Sequence, residues 1–81
     1  MDLKVIKIIK LPDVLNRTAW SRSTLYLRIK QGLFPKPISL GARAVGFVDA
    51  EVQSIVSAMI ASKSADEIKQ LVKELVAARK H

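Results

Sequence analysis

The sequence predicts a small, mostly helical domain with a β-hairpin wing, that is, a winged helix-turn-helix, followed by an extra C-terminal amphipathic helix. Three observations indicate this fold. Two short helical segments flank a short turn, a pattern that is common and therefore weak evidence on its own. Two β-rich stretches around a glycine-containing turn come next and predict a hairpin. Helical spacing of apolar residues then returns and continues almost to the last residue.

The second predicted helix, residues 21–32, has a defined beginning and end. Ser21 is an N-cap residue, and Gly32 supplies the left-handed conformation that ends many helices. Leu25 and Ile29 are four residues apart, so they share one face and are expected to be buried. The front of the helix carries short hydrogen-bonding side chains, a tyrosine and one long cation, namely Arg22, Ser23, Thr24 and Tyr26. Such residues are expected on a helix whose N-terminal end enters a major groove.

The chain before this helix predicts a strand and a first helix. Residues 5–9 are rich in β-branched side chains and predict a short strand at a sheet edge, where the neighbouring lysines stay in solvent. The segment is too short for the alternative, an amphipathic helix on a membrane surface. Residues 11–18 predict a helix with Pro12 at its first position, where the missing amide costs nothing. A polar break is expected over residues 16–20. Trp20 is interpreted as a core residue between the two helices, with base stacking as the alternative.

The hairpin follows a segment that cannot be helical, because Pro35 and Pro37 lie within three residues. Residues 38–40 and 45–48 are the predicted strands. Arg43 falls at or near the tip between them, where it could enter a minor groove or contact a phosphate. The alternative is that Arg43 is simply an exposed charge on a hairpin.

A third helix is predicted to begin with Asp49 as the N-cap and with Glu51 in its first turn. Its apolar residues recur at spacings of three and four and predict a core stripe of Val52, Ile55, Val56, Met59 and Ile60.

A fourth helix is predicted from Ser64 and Glu67, which are spaced as a capping box. Its apolar stripe consists of Ile68, Leu71, Val72, Leu75 and Val76. This stripe either packs back on its own domain or pairs with a second copy or a protein partner. The predicted organisation is therefore a winged helix-turn-helix domain over residues 1–62 and a C-terminal amphipathic helix over residues 63–81.

The distribution of charge is uneven along the chain, whose formal net charge is +7. Residues 1–48 contain nine lysines and arginines and two acidic residues, whereas residues 49–81 contain five of each. A polyanionic partner for the first half is the direct physical inference. The alternative, a basic face that only keeps the protein soluble, does not predict such segregation.

Site chemistry typical of enzymes is missing from the sequence. It has no cysteine, its single histidine is the terminal His81, and it has no glycine-rich phosphate loop. The carboxylates are expected at helix caps or exposed positions, without an acid–base pair, and the serines lack a base. We therefore predict a non-enzyme with no catalytic residues, metal site or cofactor. Without a signal peptide or a long apolar span, a cytoplasmic protein with no membrane partner is expected.

Four motifs resemble the AlpA family of prophage regulators. They are LPDV at residues 11–14, SRSTLY at 21–26, FPKP at 34–37 and GARAVGF at 41–47, within an ungapped likeness over residues 8–60. The resemblance implies a MerR-like, excisionase-like winged helix-turn-helix that binds double-stranded DNA and regulates transcription in a prophage or integrative element. Its alternative is an excisionase that bends attachment-site DNA.

The sequence departs from the family pattern at two places. Phe47 stands where members commonly have tryptophan, and an aromatic is still expected to pack at the base of the wing. Leu27 and Arg28 exchange the usual basic–apolar order, which leaves open which of the two faces DNA. Leu27 is expected to be the more exposed if Leu25 and Ile29 are buried.

The complete set of residues predicted to contact DNA is Ser21, Arg22, Ser23, Thr24, Tyr26, Lys30, Lys36 and Arg43. Arg22, Ser23 and Thr24 are expected to contact bases. Tyr26 and Lys30 are expected to hold phosphates, with Arg43 and Lys36 anchoring the wing. One alternative is a protein-binding winged helix that acts on another regulator. RNA binding is a weaker alternative, because the few aromatic residues do not alternate with basic ones.

Overall fold

The computed structural model describes residues 7–79 and contains four helices and a small sheet within that range. The elements are β1 (Ile8–Ile9), α1 (Leu11–Thr18), α2 (Arg22–Lys30), β2 (Ile38–Gly41), β3 (Ala44–Val48), α3 (Asp49–Ile60) and α4 (Ala65–Ala77). The strands form an antiparallel sheet in the order β1-β3-β2. The predicted winged helix-turn-helix with an additional C-terminal helix is confirmed. Val5 and Ile6 of the predicted first strand, and His81, lie outside the described residues.

The core lies where the helices meet the inner face of the sheet. Its largest fully buried side chains are Phe34, Phe47, Leu25, Ile55, Val14 and Val52. Phe34 contacts Trp20 and Phe47 edge-on, with ring centroids 5.7 and 6.1 Å apart, a favourable arrangement for aromatic rings. Trp20 packs against the core, as predicted, and Phe47 is the buried aromatic expected at the base of the wing.

The turn between α1 and α2 is shorter than predicted. The predicted range of α1, residues 11–18, is confirmed, although Pro12 is its second residue rather than its first. Because Asn16 and Arg17 are still helical, the break expected over residues 16–20 begins too early. The helix ends at Ala19, whose φ of 61° is left-handed and whose amide donates to the Leu15 carbonyl at 2.8 Å. Alanine is not a usual residue in this conformation, so its residue type gave no signal for this stop, although the predicted range of residues 11–18 ends at the observed boundary.

Two details of α3 differ from the sequence prediction. Val48, rather than Asp49, is the N-cap residue. The cause is the sheet: the Asp49 amide donates to the Lys7 carbonyl at 2.8 Å, so β3 leads directly into the helix. The predicted core residue Ile60 is 79% exposed because it is the last residue of α3, and Ala58 is buried instead.

The capping box at the start of α4 is confirmed. Ser64 Oγ accepts from the Glu67 amide at 3.2 Å, and the Ser64 amide donates to Glu67 Oε1 at 2.9 Å. The apolar stripe of α4 packs on the core, with Val72 buried and the other members partly buried. These contacts do not support a stripe left free for a second copy or a protein partner.

Candidate nucleic-acid interface

Both ends of α2 are fixed by local hydrogen bonds. Ser21 is the N-cap: its Oγ accepts from the Thr24 amide at 3.2 Å and donates to Thr24 Oγ1 at 3.0 Å. At the other end Gly32 has a φ of 79°. The Gly32 amide donates to the Ile29 carbonyl at 3.1 Å, and the Leu33 amide donates to the Arg28 carbonyl at 2.9 Å. This is the Schellman arrangement, so both predicted ends of the helix are confirmed.

The two faces of α2 have different surroundings. Leu25 is fully buried and Ile29 packs partly buried against the core. The exposed residues of the helix are Arg22, Ser23, Tyr26, Leu27 and Lys30. Because Arg22, Tyr26 and Lys30 are spaced by four, they form one row along the solvent face. The structure thus brings four of the predicted contact residues onto a single accessible surface, which we call the α2 outer face (Arg22, Ser23, Tyr26, Leu27, Lys30).

Leu27 belongs to this face although the predicted contact set omitted it. It is 50% exposed, as expected from the burial of Leu25 and Ile29. Arg28 turns the other way: its guanidinium lies 5.8 Å from the centroid of the Trp20 ring, and its Nη1 donates to Gln31 at 3.3 Å. Leu27 follows Ser23 by four residues, so helical spacing was the signal that could have placed it in the predicted contact set.

Ser21 and Thr24 occupy the N-terminal end of the same helix but differ from the other predicted residues. Their hydroxyls are hydrogen-bonded to each other, and Thr24 is partly buried. Their observed role is therefore to hold the first turn of α2 in shape. Any contact they make with a partner would come from the tip of the helix rather than from the row along its side.

The wing carries the two remaining predicted residues. In the hairpin, Ser39 pairs with Val45 and Gly41 with Ala44, with an irregularity between them. Arg43 is exposed in the two-residue turn at the tip, where the sequence placed it. Lys36 lies in the connection before β2, with an exposed side chain and a carbonyl that accepts from Arg79 at 2.8 Å.

Electrostatic compensation around these residues is slight. Within residues 7–48 there are eight lysines and arginines and one acidic residue. The ion pairs formed among the described residues are Arg17 with Asp49 and Arg79 with Glu51. The charges of Arg22, Lys30, Lys36 and Arg43 are therefore not neutralised by a described carboxylate. A surface of this kind attracts polyanions.

The expectation that every carboxylate lies at a helix cap or at an exposed position is wrong for Glu51. Glu51 is 5% exposed, and Arg79 Nε donates to its Oε2 at 2.8 Å while Arg79 Nη2 donates to its Oε1 at 2.5 Å. The hydrogen bonds from Arg79 to Glu51 raise the pKa of the arginine above its ordinary value. The sequence did not reveal this pair because its members are 28 residues apart.

Two features are absent from residues 7–79, a cluster of metal-ligating side chains and a membrane-spanning helix. No group of acidic or histidine side chains there is arranged to hold a metal ion. No helix in that part of the chain has the length and apolar character needed to cross a membrane.

Comparison with known proteins places the chain in a family. The family model described as "Prophage CP4-57 regulatory protein (AlpA)" matches residues 7–59. An uncharacterised protein, ORF88 of Enterobacteria phage P4, is 32% identical over 62 residues, which are 76% of this chain and 70% of the relative. The DNA-binding transcriptional activator AlpA of Escherichia coli K12 is 34% identical over 58 residues, which are 64% of this chain and 83% of the relative. No solved structure matches the chain. The extent of the family match, from just before β1 nearly to the end of α3, shows that the chain belongs to the AlpA family of prophage regulatory proteins.

Proposed function

We propose that the protein binds double-stranded DNA at specific sequences and regulates transcription in a prophage or integrative element. The observation that carries the proposal is the α2 outer face: a short helix, capped at both ends, holds its polar and cationic residues in solvent while Leu25 is buried in the core. A helix so mounted can enter a major groove while the domain remains outside it. The name of the Escherichia coli relative, a DNA-binding transcriptional activator, supports the same function.

Different residues would have different roles in the complex. Arg22 and Ser23, at the beginning of α2, would contact base edges, with Thr24 and Ser21 at the helix tip. Leu27 is a half-exposed apolar side chain on the same face and would contact a thymine methyl group. The residues assigned to phosphates are Tyr26 and Lys30 on α2 and Lys36 and Arg43 on the wing. The three cations among them predict that log K falls with log salt concentration at a slope of about −3.

The first experiment selects a preferred sequence from a pool of random duplexes and then measures its affinity by fluorescence anisotropy. Arg22→Ala is expected to cost about 1–3 kcal/mol on the selected site and to relax its specificity, because a base contact is lost. Lys30→Ala is expected to weaken all duplexes alike. Lys69→Ala is a matched control, because Lys69 is an exposed cation on α4. A salt slope near zero would refute the assigned DNA contacts. Equal losses of affinity in Arg22→Ala and Lys69→Ala would refute them as well.

The second experiment distinguishes two uses of the same contacts. A footprint on DNA around the gene's own locus shows where the protein sits. Protection at a promoter indicates a transcriptional regulator. Several phased sites beside an attachment site indicate an excisionase, because bending DNA into an array requires repeated copies.

A further inference from the structure

Arg79, which follows α4, connects three parts of the fold that are distant in sequence. Its Nε and Nη2 donate to the two carboxylate oxygens of Glu51, in the first turn of α3, at 2.8 and 2.5 Å. Nη2 also donates to the Lys36 carbonyl, 43 residues earlier, at 2.8 Å. One guanidinium therefore joins the C-terminal helix, the third helix and the connection that leads into the wing.

The ion pair between Arg79 and Glu51 is largely shielded from solvent, whereas the hydrogen bond to the Lys36 carbonyl lies at the surface. The side chains of Arg79 and Glu51 are 19% and 7% exposed. Charge-assisted hydrogen bonds with two parallel donors are strong and directional. A buried ion pair contributes little net stability compared with well-packed apolar residues. Its clearest physical consequence is geometric, because the planar guanidinium fixes the positions of the groups it joins.

The group that Arg79 fixes on the wing side is the backbone of Lys36. The preceding Phe34 and Pro35 are buried and hold the connection to the core. The following Pro37 has a restricted φ and no amide hydrogen to donate. The hydrogen bond from Arg79 therefore orients the peptide unit from which the Lys36 side chain projects and the hairpin begins.

We propose that Arg79 is a positioning residue for DNA binding: with Glu51 it holds Lys36, and through it the wing, in the orientation that meets the phosphate backbone. The proposal rests on the DNA binding proposed above. Arg79 lies outside residues 7–59, the part of the chain that matches the family model. The C-terminal helix thus contributes to binding through a backbone contact rather than by touching DNA. Because coupling between two events is reciprocal, DNA binding would also strengthen the docking of α4.

The test uses a double variant, Glu51→Gln with Arg79→Gln, which removes one charge of each sign and leaves the net charge unchanged. We expect its affinity for the selected duplex to fall about fivefold to tenfold at 0.1 M salt, the loss of one phosphate contact, and the salt slope to become about 0.9 units shallower. Lys36→Ala should show the same two changes. Adding Lys36→Ala to the double variant should cause no further loss, because both changes remove the same contact.

Two controls separate positioning from charge and from folding. Lys73→Gln removes an exposed cation of α4 and should change affinity less than twofold. Arg79→Lys keeps the charge next to Glu51 but not the planar fork, so it should fold and still lose affinity. If the double variant does not melt cooperatively, Arg79→Lys decides the test.

The outcomes are distinct. The positioning role would be overturned if the folded double variant or Arg79→Lys bound DNA as tightly as the unaltered protein. It would also be overturned if the affinity losses of the double variant and of Lys36→Ala were additive. Either result would leave DNA binding intact. Failure of the unaltered protein to bind any duplex would overturn both proposals.

Discussion

Substitutions of Ser21 separate the stability of α2 from its proposed entry into DNA. Ser21→Ala removes the oxygen that accepts from the Thr24 amide and the hydrogen bond to Thr24 Oγ1. Loss of an N-cap serine costs about 1 kcal/mol, within a range of about 0.5–2. For a domain of this size, 1 kcal/mol lowers Tm by about 4–8 °C. The variant should also bind DNA more weakly, because the first turn of α2 is no longer held in shape.

Ser21→Asp is expected to preserve the stability of α2 but to weaken DNA binding. A carboxylate can accept from the same Thr24 amide, and it is favoured at the positive end of the helix dipole. We therefore expect Tm to stay close to that of the unaltered protein. In the proposed complex this carboxylate would approach phosphates, and like charges at about 4 Å repel by about 1 kcal/mol even in bulk water. Two neighbouring phosphates would weaken binding by tenfold or more.

Thermal melting by circular dichroism and fluorescence anisotropy on the selected duplex measure the two effects independently. Ser21→Asn is the matched control, since asparagine caps helices well and adds no charge; it should retain both stability and affinity. A stable Asp variant that binds as tightly as the unaltered protein would refute entry of the N-terminal end of α2 into DNA. An Ala variant with unchanged Tm would refute the capping account.

Two further predictions concern the sheet and α4. Gly46→Ala should destabilise the domain by about 1–3 kcal/mol, because an added Cβ would overlap Ile8 Cγ2 and lie 2.9 Å from Leu40 Cδ1. Urea unfolding measures this loss, which should shrink in an Ile8→Ala background. The pKa of Glu67 is lowered mainly by the hydrogen bond from the Ser64 backbone amide. The ionised carboxylate therefore stabilises α4 at pH values above the pKa of Glu67 in the unfolded chain. This stabilisation is lost as the pH falls through the lowered pKa of the folded protein. Thermal melts over this acidic range should show a smaller decrease in Tm for Glu67→Gln than for the unaltered protein, and an equal decrease would contradict the assignment.

Features that depend on neighbouring residues were predictable from the sequence. The cap at Ser21 and the left-handed Gly32 each act within one or two turns, so residue type and spacing were sufficient to predict both ends of α2. The buried positions of α2 followed from the same spacing. The position of Arg43 at the hairpin tip followed from the short turn between two β-rich stretches.

Features that depend on distant parts of the chain were not predictable. Glu51 looked like an ordinary first-turn carboxylate, and only the folded chain brings Arg79 to it. Asp49 looked like a cap until its amide was found in the sheet with Lys7. The apolar periodicity of α3 continued through Ile60, but the chain turns away there and leaves that side chain exposed. In each case a tertiary contact, or its absence, outweighed a local preference.

The most direct test of the central claim is an NMR titration of the isotopically labelled protein with its selected duplex. We expect the largest amide shift changes along α2, from Arg22 to Lys30, and at Arg43 in the hairpin turn. The exposed side of α4, around Lys69 and Lys73, should change little. Changes concentrated on α4, with α2 unaffected, would contradict the proposed mode of binding.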